Sequence, residues 1–332
     1  MIIHLKKNVS DEQAVQLGIA TKSIHFKQGE THILVTSSKV KEVPSEVKDF
    51  VEKSVVTSSD IQLASKEYIP QVREIKLGNL TIGGNSNNAV MIAGPCSVES
   101  EEQIESAAKL CVELGVKILR AGAFKPRTSP YTFQGLGLEG LKLLAKMREK
   151  YGLQVITEVK DSTHIDAVIE HTDIIQIGAK AMYDQGILQK CGQTRKPVLL
   201  KRGFGSTLQE FVQAAEFILS GGNPNVILCE RGIRTFETKT RFTLDLCGAM
   251  WLKEYTNLPV VLDPSHAMGY AYGVPDLARA CLALGADGLL IETHPNPKIA
   301  LSDADQQLNF DEFRELYKSL GTVASAVGKK LV

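Results

Sequence analysis

A chain of 332 residues is longer than one ordinary domain, and 43% hydrophobic against 23% charged residues supplies a large apolar core, which excludes a disordered or fibrous protein. Lys and Arg number 38 and so do Asp and Glu, so no net field favours nucleic acid or an anionic membrane. The start of the chain, one short apolar run followed by Lys6 and Lys7, is neither a signal peptide nor a membrane span, and a cytoplasmic location is expected.

The first 65 residues predict strand Ile2–Leu5, helix Asp11–Leu17, strands Ser23–Lys27 and Thr31–Thr36, helix Ser45–Val51 and strand Ser54–Thr57. This βαββαβ order is one of the split βαβ arrangements and is too small to host the main chemistry. A linker and hairpin follow over Ile69–Gly84, with Gly78 and Asn79 as the turn, positioned to close the bottom of whatever comes next.

From Val90 onward, short apolar runs alternate with amphipathic stretches: Val90–Ala93, Val116–Leu119, Gln154–Thr157, Ile174–Ile177, Val198–Leu200, Val226–Cys229, Val260–Leu262 and Leu289–Ile291. Runs of Val, Ile and Leu fit strands buried on both faces, and alternation with helices makes them parallel. Eight such repeats predict an α/β fold, a closed (β/α)8 barrel, over residues 66–332. Ser100–Gln103 and Thr207–Glu210 read as capping boxes, and Gly115, Gly221 and Gly285 as helix stops.

The six cysteines show no CxxC spacing and read as reduced thiols, with Cys111, Cys229, Cys247 and Cys281 as small buried hydrophobes. Cys96 differs, because it sits where an apolar run ends in reactive residues. Nearly every strand does the same, in the strings AGPCS, LRAGAFKPRTS, ITEV, IGAK, LLKRG, LCERGIR, LDPSH and IETHPNP. In such a barrel these strand ends converge on one face, where the active site lies.

The converging side chains divide by chemistry. Cys96, His266, Glu292 and Asp303 form a candidate metal set, with His294 as a rival ligand. A thiolate, an imidazole and two carboxylates suit Mn²⁺, Fe²⁺, Co²⁺ or Zn²⁺ better than Mg²⁺. Arg120, Lys125, Arg127, Lys180, Lys201, Arg202, Arg231 and Arg234 are candidate anion binders, since so many cations at one mouth call for a multiply charged visitor.

The strings AGPCSVES, RAGAFKPRTSPYTFQGLG, LLKRG, CERGIRTFE, DPSHAMG, IETHPNP and LSDADQQL, in this order, closely resemble those of the 3-deoxy-D-arabino-heptulosonate 7-phosphate (DAHP) synthases, type I beta, which carry a small N-terminal ferredoxin-like domain before a TIM barrel. The resemblance implies an aldol-like condensation of phosphoenolpyruvate with erythrose 4-phosphate, opening the shikimate pathway, with one divalent metal, Mn²⁺ first among the candidates. It implies Lys125 as proton donor, Glu158 and Lys201 as the groups that handle the attacking water, and Arg120, Lys125, Lys180, Lys201 and Arg231 on phosphoenolpyruvate. Arg127 and Thr128 fall on the sugar's terminal phosphate. It further implies feedback inhibition by Tyr or Phe through residues 1–65, with His25 a candidate contact, and a homotetramer. The string GAKAMYDQ departs from the family's usual GARNMQN and places Lys180 at an expected Arg. KPRTS disfavours the related 3-deoxy-octulosonate 8-phosphate synthases, and an intact metal set disfavours a catalytically silent regulatory barrel.

Overall fold

The computed structural model describes residues 1–125, 129 and 131–332. Eight parallel strands form the barrel: β7 (Asn88–Gly94), β8 (Ile118–Arg120), β9 (Gln154–Val159), β10 (Ile174–Ile177), β11 (Val198–Lys201), β12 (Val226–Glu230), β13 (Val260–Leu262) and β14 (Gly288–Glu292). Closure is made by β14 on β7, from Gly288 opposite Val90 to Glu292 opposite Gly94. The chain's last strand, Lys330–Leu331, was not foreseen; it adds to β7 at Asn88 and Ala89.

The strands are mainly apolar because both their faces are covered, with polar residues such as Arg120, Glu158, Lys201, Glu230 and Glu292 toward their C-terminal ends. Outward residues pack on the surrounding helices, while Val90, Ile92, Ile118, Ile156, Ile174, Leu199, Ile227, Val261 and Leu290 point inward and meet Ile75, Leu77, Leu80 and Ile82. Those last four belong to the predicted hairpin, β5 (Glu74–Leu77) and β6 (Leu80–Gly83), joined at Gly78 and Asn79. It seals the lower end of the barrel.

The helices between strands are α2 (Glu101–Leu114), α3 (Leu138–Tyr151), α4 (Ile165–His171), α5 (Gln185–Gln193), α6 (Leu208–Ser220), α7 (Leu246–Tyr255), the short α8 (Pro264–Met268) with α9 (Val274–Ala283), and α10 (Phe310–Ala326). None among the described residues is long and apolar enough to cross a membrane. Thr207 and Glu210 form a reciprocal capping box on α6. At α2 the Ser100 hydroxyl accepts from the Gln103 amide at 3.1 Å, but the Gln103 side chain is spent on Glu99 N and Ser97 O, bracing the loop after Cys96. Strand β8 begins two residues later than predicted, because the Val116 N–H closes the end of α2 on Cys111 O. Cys247 is exposed, unlike Cys111, Cys229 and Cys281; its place in α7 faces solvent rather than the core.

At the N-terminus, β1 (Ile2–Leu5), α1 (Asp11–Ala20), β2 (Ile24–Gln28), β3 (Thr31–Val35) and β4 (Val51–Val55) make an antiparallel sheet of order β2-β3-β1-β4. Alternation gives it two apolar faces: Ile3, Leu5 and Leu34 pack on Ala14 and Leu17 of α1, while Ile2, Ile33 and Val35 join the barrel core. The second predicted helix does not form. Residues 45–51 turn through i to i+3 bonds, Phe50 N on Val47 O at 2.9 Å, and only Lys48–Phe50 is helical, as 3₁₀. Too few residues separate Pro44 from the strand that β1 recruits at Val51 for a regular α-helix to repay its nucleation.

Helix α6 carries the junction between this sheet and the barrel. Glu216 is half-buried and accepts the backbone N–H groups of Gln62, Leu63 and Ala64 at 2.8, 3.1 and 2.8 Å. Burial outweighs these bonds and the nearby Arg73, and pushes its carboxyl up to about 7. A carboxyl whose folded pKa lies above its unfolded one holds a proton in the native state that the unfolded chain has lost, so its contribution to stability falls as pH rises from about 4.5 to about 7. The difference in unfolding free energy between wild type and Glu216→Gln should therefore move against wild type by roughly 3 kcal/mol across that window. Urea titrations at stepped pH check it, and a pH-independent difference would refute it.

Candidate active site

The upper ends of the strands carry the predicted cluster. Strand β7 ends in Gly94, whose φ of 144° and lack of a Cβ let the chain cross the Arg120 carbonyl, 2.2 Å from where a Cβ would stand. This close approach swings Cys96 inward, fully buried, with its N–H on Gln307 Oε1 at 2.9 Å. Cys96, Glu292 and Asp303 offer donor atoms all within 4.8 Å of one another. Asp303 adopts a left-handed backbone, φ 45° and ψ 45°, uncommon for a residue with a side chain and a type of strain that collects at functional sites.

His266 joins from α8. Its Nδ1 lies 2.8 Å from Asp263 Oδ2 and its Nε2 3.4 Å from Glu292 Oε1. With Nδ1 donating to Asp263, Nε2 turns a lone pair toward a carboxylate oxygen, and burial holds the imidazole below its usual pKa despite the attraction of Asp263. Two electron-rich atoms in that relation are stabilised by a cation between or beside them. Burial, with Glu292 adding to it, pushes the Cys96 thiol up to about 12, a balance that a divalent ion reverses by deprotonating a coordinating thiol. The donor set thus fits a divalent metal, with Asp263 fixing the tautomer of the histidine. His294 is turned away, its Nε2 3.3 Å from Glu99 Oε2 and its Nδ1 accepting from Asn296 N.

Lys125 reaches Cys96 from the opposite side, Nζ to Sγ 2.9 Å and to the carbonyl oxygen 3.1 Å. Burial opposes its charge, but the adjacent Cys96 and Glu292 more than offset this and raise its pKa. Arg120 is buried, and its Nη1 donates to Glu292 Oε1 at 2.6 Å and Pro95 O at 2.8 Å. Burial opposes ionisation of Glu292, yet His266 and Arg120 hold its carboxyl below the usual range. Lys201 lies 2.6 Å from Asp263 Oδ2, so Asp263 sits between Lys201 and His266, held well below the ordinary carboxyl range although burial acts the other way.

Above these groups lies a cavity of about 390 Å³, lined by Lys125, Lys180, Lys201, Arg231, Arg234 and Arg241 along with Glu158, His266 and Asp303. Glu158 accepts from Gln176 Nε2 at 2.8 Å, and the absence of a Cβ on Gly178 makes room for it. Phe204 and Phe242, stacked 5.5 Å apart, carry guanidinium groups on their faces: Arg231 lies 4.2 Å from the Phe242 ring and Arg234 4.6 Å from the Phe204 ring. Arg231 Nη1 is buried and has no hydrogen-bond partner among the described residues, as suits a group awaiting an anion.

Not every predicted cation belongs here. Arg202 donates to Glu230 at 3.0 Å, Asp245 at 2.8 Å and Ser206 O at 3.1 Å, so it braces β11 against β12 instead of facing the cavity. Arg127 and Thr128 lie outside the described residues. Sequence reasoning missed Asp263, Gln306, Arg241 and the two phenylalanines. Asp263 and Gln306 stood inside quoted strings, but only the folded loops show what they touch.

A profile of the DAHP synthetase I family matches residues 63–328. The chain is 46% identical over 283 residues to the phospho-2-dehydro-3-deoxyheptonate aldolase of Thermotoga maritima, covering 85% of this chain and 83% of that one. It is 32% identical over 268 residues to a 2-dehydro-3-deoxyphosphooctonate aldolase of Fusobacterium nucleatum, covering 75% and 95%. The crystal structure of the Thermotoga maritima DAHP synthase superposes with a TM-score of 0.81 and 41% identity over 100% of this chain and 99% of that one. With the barrel, its mouth and these relationships in agreement, the chain belongs to the DAHP synthetase I family and is an enzyme of the DAHP synthase type.

Proposed function

We propose that the barrel mouth joins phosphoenolpyruvate to erythrose 4-phosphate in a metal-dependent reaction, releasing DAHP and inorganic phosphate at the start of the shikimate pathway. The observation that carries this reading is the contact of Lys125 Nζ with Cys96 Sγ at 2.9 Å, a proton donor against a buried donor set on the floor of a cationic cavity. A divalent ion held by Cys96, His266, Glu292 and Asp303, Mn²⁺ first among Fe²⁺, Co²⁺ and Zn²⁺, supplies Lewis-acid polarisation of the aldehyde.

The protein's own groups do the rest. Arg231, Lys180 and Lys201, with Arg120 beneath them, pair with the carboxylate and phosphate of phosphoenolpyruvate. C3 of the enol then forms a bond to the aldehyde carbon, and Lys125 protonates the oxygen on which charge develops. Water adds to the electron-poor C2, with Glu158 and Lys201 positioned to orient it and take its proton, and the C2–O bond to phosphate breaks. Arg127 and Thr128 are assigned to the sugar's terminal phosphate by the family string alone.

Residues 1–65 are proposed as a regulatory domain that responds to Tyr or Phe, acting in a cytoplasmic homotetramer. His25 is the candidate contact; its Nε2 lies 3.0 Å from His32 Nδ1, and the His32 Nε2 lies 3.1 Å from Asp11, so the imidazole is tied to α1.

Purified protein with Mn²⁺ and phosphoenolpyruvate should consume phosphoenolpyruvate when erythrose 4-phosphate is added and not with arabinose 5-phosphate, followed by its ultraviolet absorbance. Consumption with the five-carbon sugar alone would assign the octulosonate reaction instead, and none with either would leave a silent barrel. Tyr or Phe added to the same assay reads out the regulatory proposal.

A further inference from the structure

Gln306 lies on the short 3₁₀ turn Ala304–Gln306 that follows Asp303, and it is 1% exposed. Its amide is fully used in one direction. Nε2 donates to Glu292 Oε2 at 2.5 Å, and Oε1 accepts from Arg241 Nη1 at 2.6 Å. An amide has one donor end and one acceptor end, and Arg241 can only donate, so the guanidinium dictates that the NH₂ faces Glu292. Glu292 is thereby held at both oxygens, Oε1 by Arg120 and Oε2 by Gln306, and its carboxylate plane is fixed. Arg241 lines the anion cavity, and its Nη1 is also 3.6 Å from Asp303 Oδ2.

We infer that Gln306 is a positioning residue that sets the Glu292 carboxylate for the cation and links it, through Arg241, to the anion cavity. The inference rests on the reading of Cys96, Glu292 and Asp303 as a cation site. An amide fixed at both ends spares Glu292 from choosing its orientation when the ion arrives, the general role of groups that hydrogen-bond a metal-ligating carboxylate. The placement also explains why a glutamine is used. A carboxylate here would oppose Glu292, an aliphatic chain would remove the donor to Glu292 Oε2 and leave Arg241 only its longer contact with Asp303, and an asparagine is one methylene too short to span both.

The test is the affinity for Mn²⁺ alone, measured by competition with a fluorescent chelator on the full chain without substrates. Gln306→Met, which keeps the length and the apolar stem, should weaken Mn²⁺ binding by about 10–100-fold. Gln306→Asn should do the same, which guards against a variant that merely fails to fold, and circular dichroism melting of the metal-free proteins confirms that both fold. Arg241→Met should also weaken Mn²⁺ binding, and the double variant should lose less than the product of the two single losses, because each single change already breaks the chain. Wild-type affinity in both Gln306 variants, or losses that multiply independently, would overturn the inference while leaving the cation site intact. If the wild-type protein binds no Mn²⁺, the reading of the cation site fails and this inference falls with it.

Discussion

Cys96→Ala should lower the affinity for Mn²⁺ by more than about 100-fold and bring turnover to background, with little change in the far-ultraviolet spectrum. Removal of a group that merely supports a metal ligand costs about 10–100-fold, and removal of a ligand costs more. The structural competitor is that Cys96 is a small buried hydrophobe, in which case alanine is a modest cavity-forming change and activity survives. The surroundings argue against it. Asp303 Oδ2 stands 3.5 Å from the sulfur, Lys125 2.9 Å from it, and Glu292 completes the set. Equilibrium dialysis of Mn²⁺ and the phosphoenolpyruvate assay, run on the same preparation, separate the outcomes: full activity with unchanged metal content would remove Cys96 from the site.

Asp263→Ala should destabilise the fold by about 3–5 kcal/mol, the usual cost of removing one partner from a buried ion pair. Asp263 is completely buried, and its Oδ2 is shared by Lys201 at 2.6 Å and His266 Nδ1 at 2.8 Å, while Oδ1 accepts the His266 N–H at 3.0 Å. Without it Lys201 is an uncompensated charge in a nearly closed site, and α8 loses its cap. Urea unfolding checks the magnitude; a midpoint equal to wild type would show that water or another group replaces the carboxylate. Asp263→Asn is the milder change, since it keeps the cap but removes the charge that pairs with Lys201.

The barrel could be read in the sequence because the rule that makes it is local. The strands are buried on both faces and are therefore written mainly in Val, Ile and Leu, as Val198–Leu200 is, and several helices announce their starts, as Thr207 and Glu210 do. The lost second helix shows the limit of that rule, because residues 45–51 carry helical residue types and yet only Lys48–Phe50 turns, as 3₁₀, before strand Val51–Val55 is claimed by a partner, β1, nearly fifty residues away. Cys96, Lys125, Glu292 and Asp303 were legible as strand-end chemistry. Of the partners that give them direction, Gln306 was hidden, because it touches Glu292 from a separate loop and leaves no spacing in the chain, whereas Asp263 stands three residues before His266 in DPSH, a helix-cap spacing that could have pointed to it. Arg202 illustrates the converse: it looks like its neighbour Lys201, and only the location of Glu230 and Asp245 reveals that it holds strands together.

The hairpin Glu74–Leu77 and Leu80–Gly83 turns the barrel into a vessel with a floor. With that end filled by side chains, whatever reaches Lys125 and Lys201 is expected to come past the loops that carry Arg234 and Arg241, which line the same cavity.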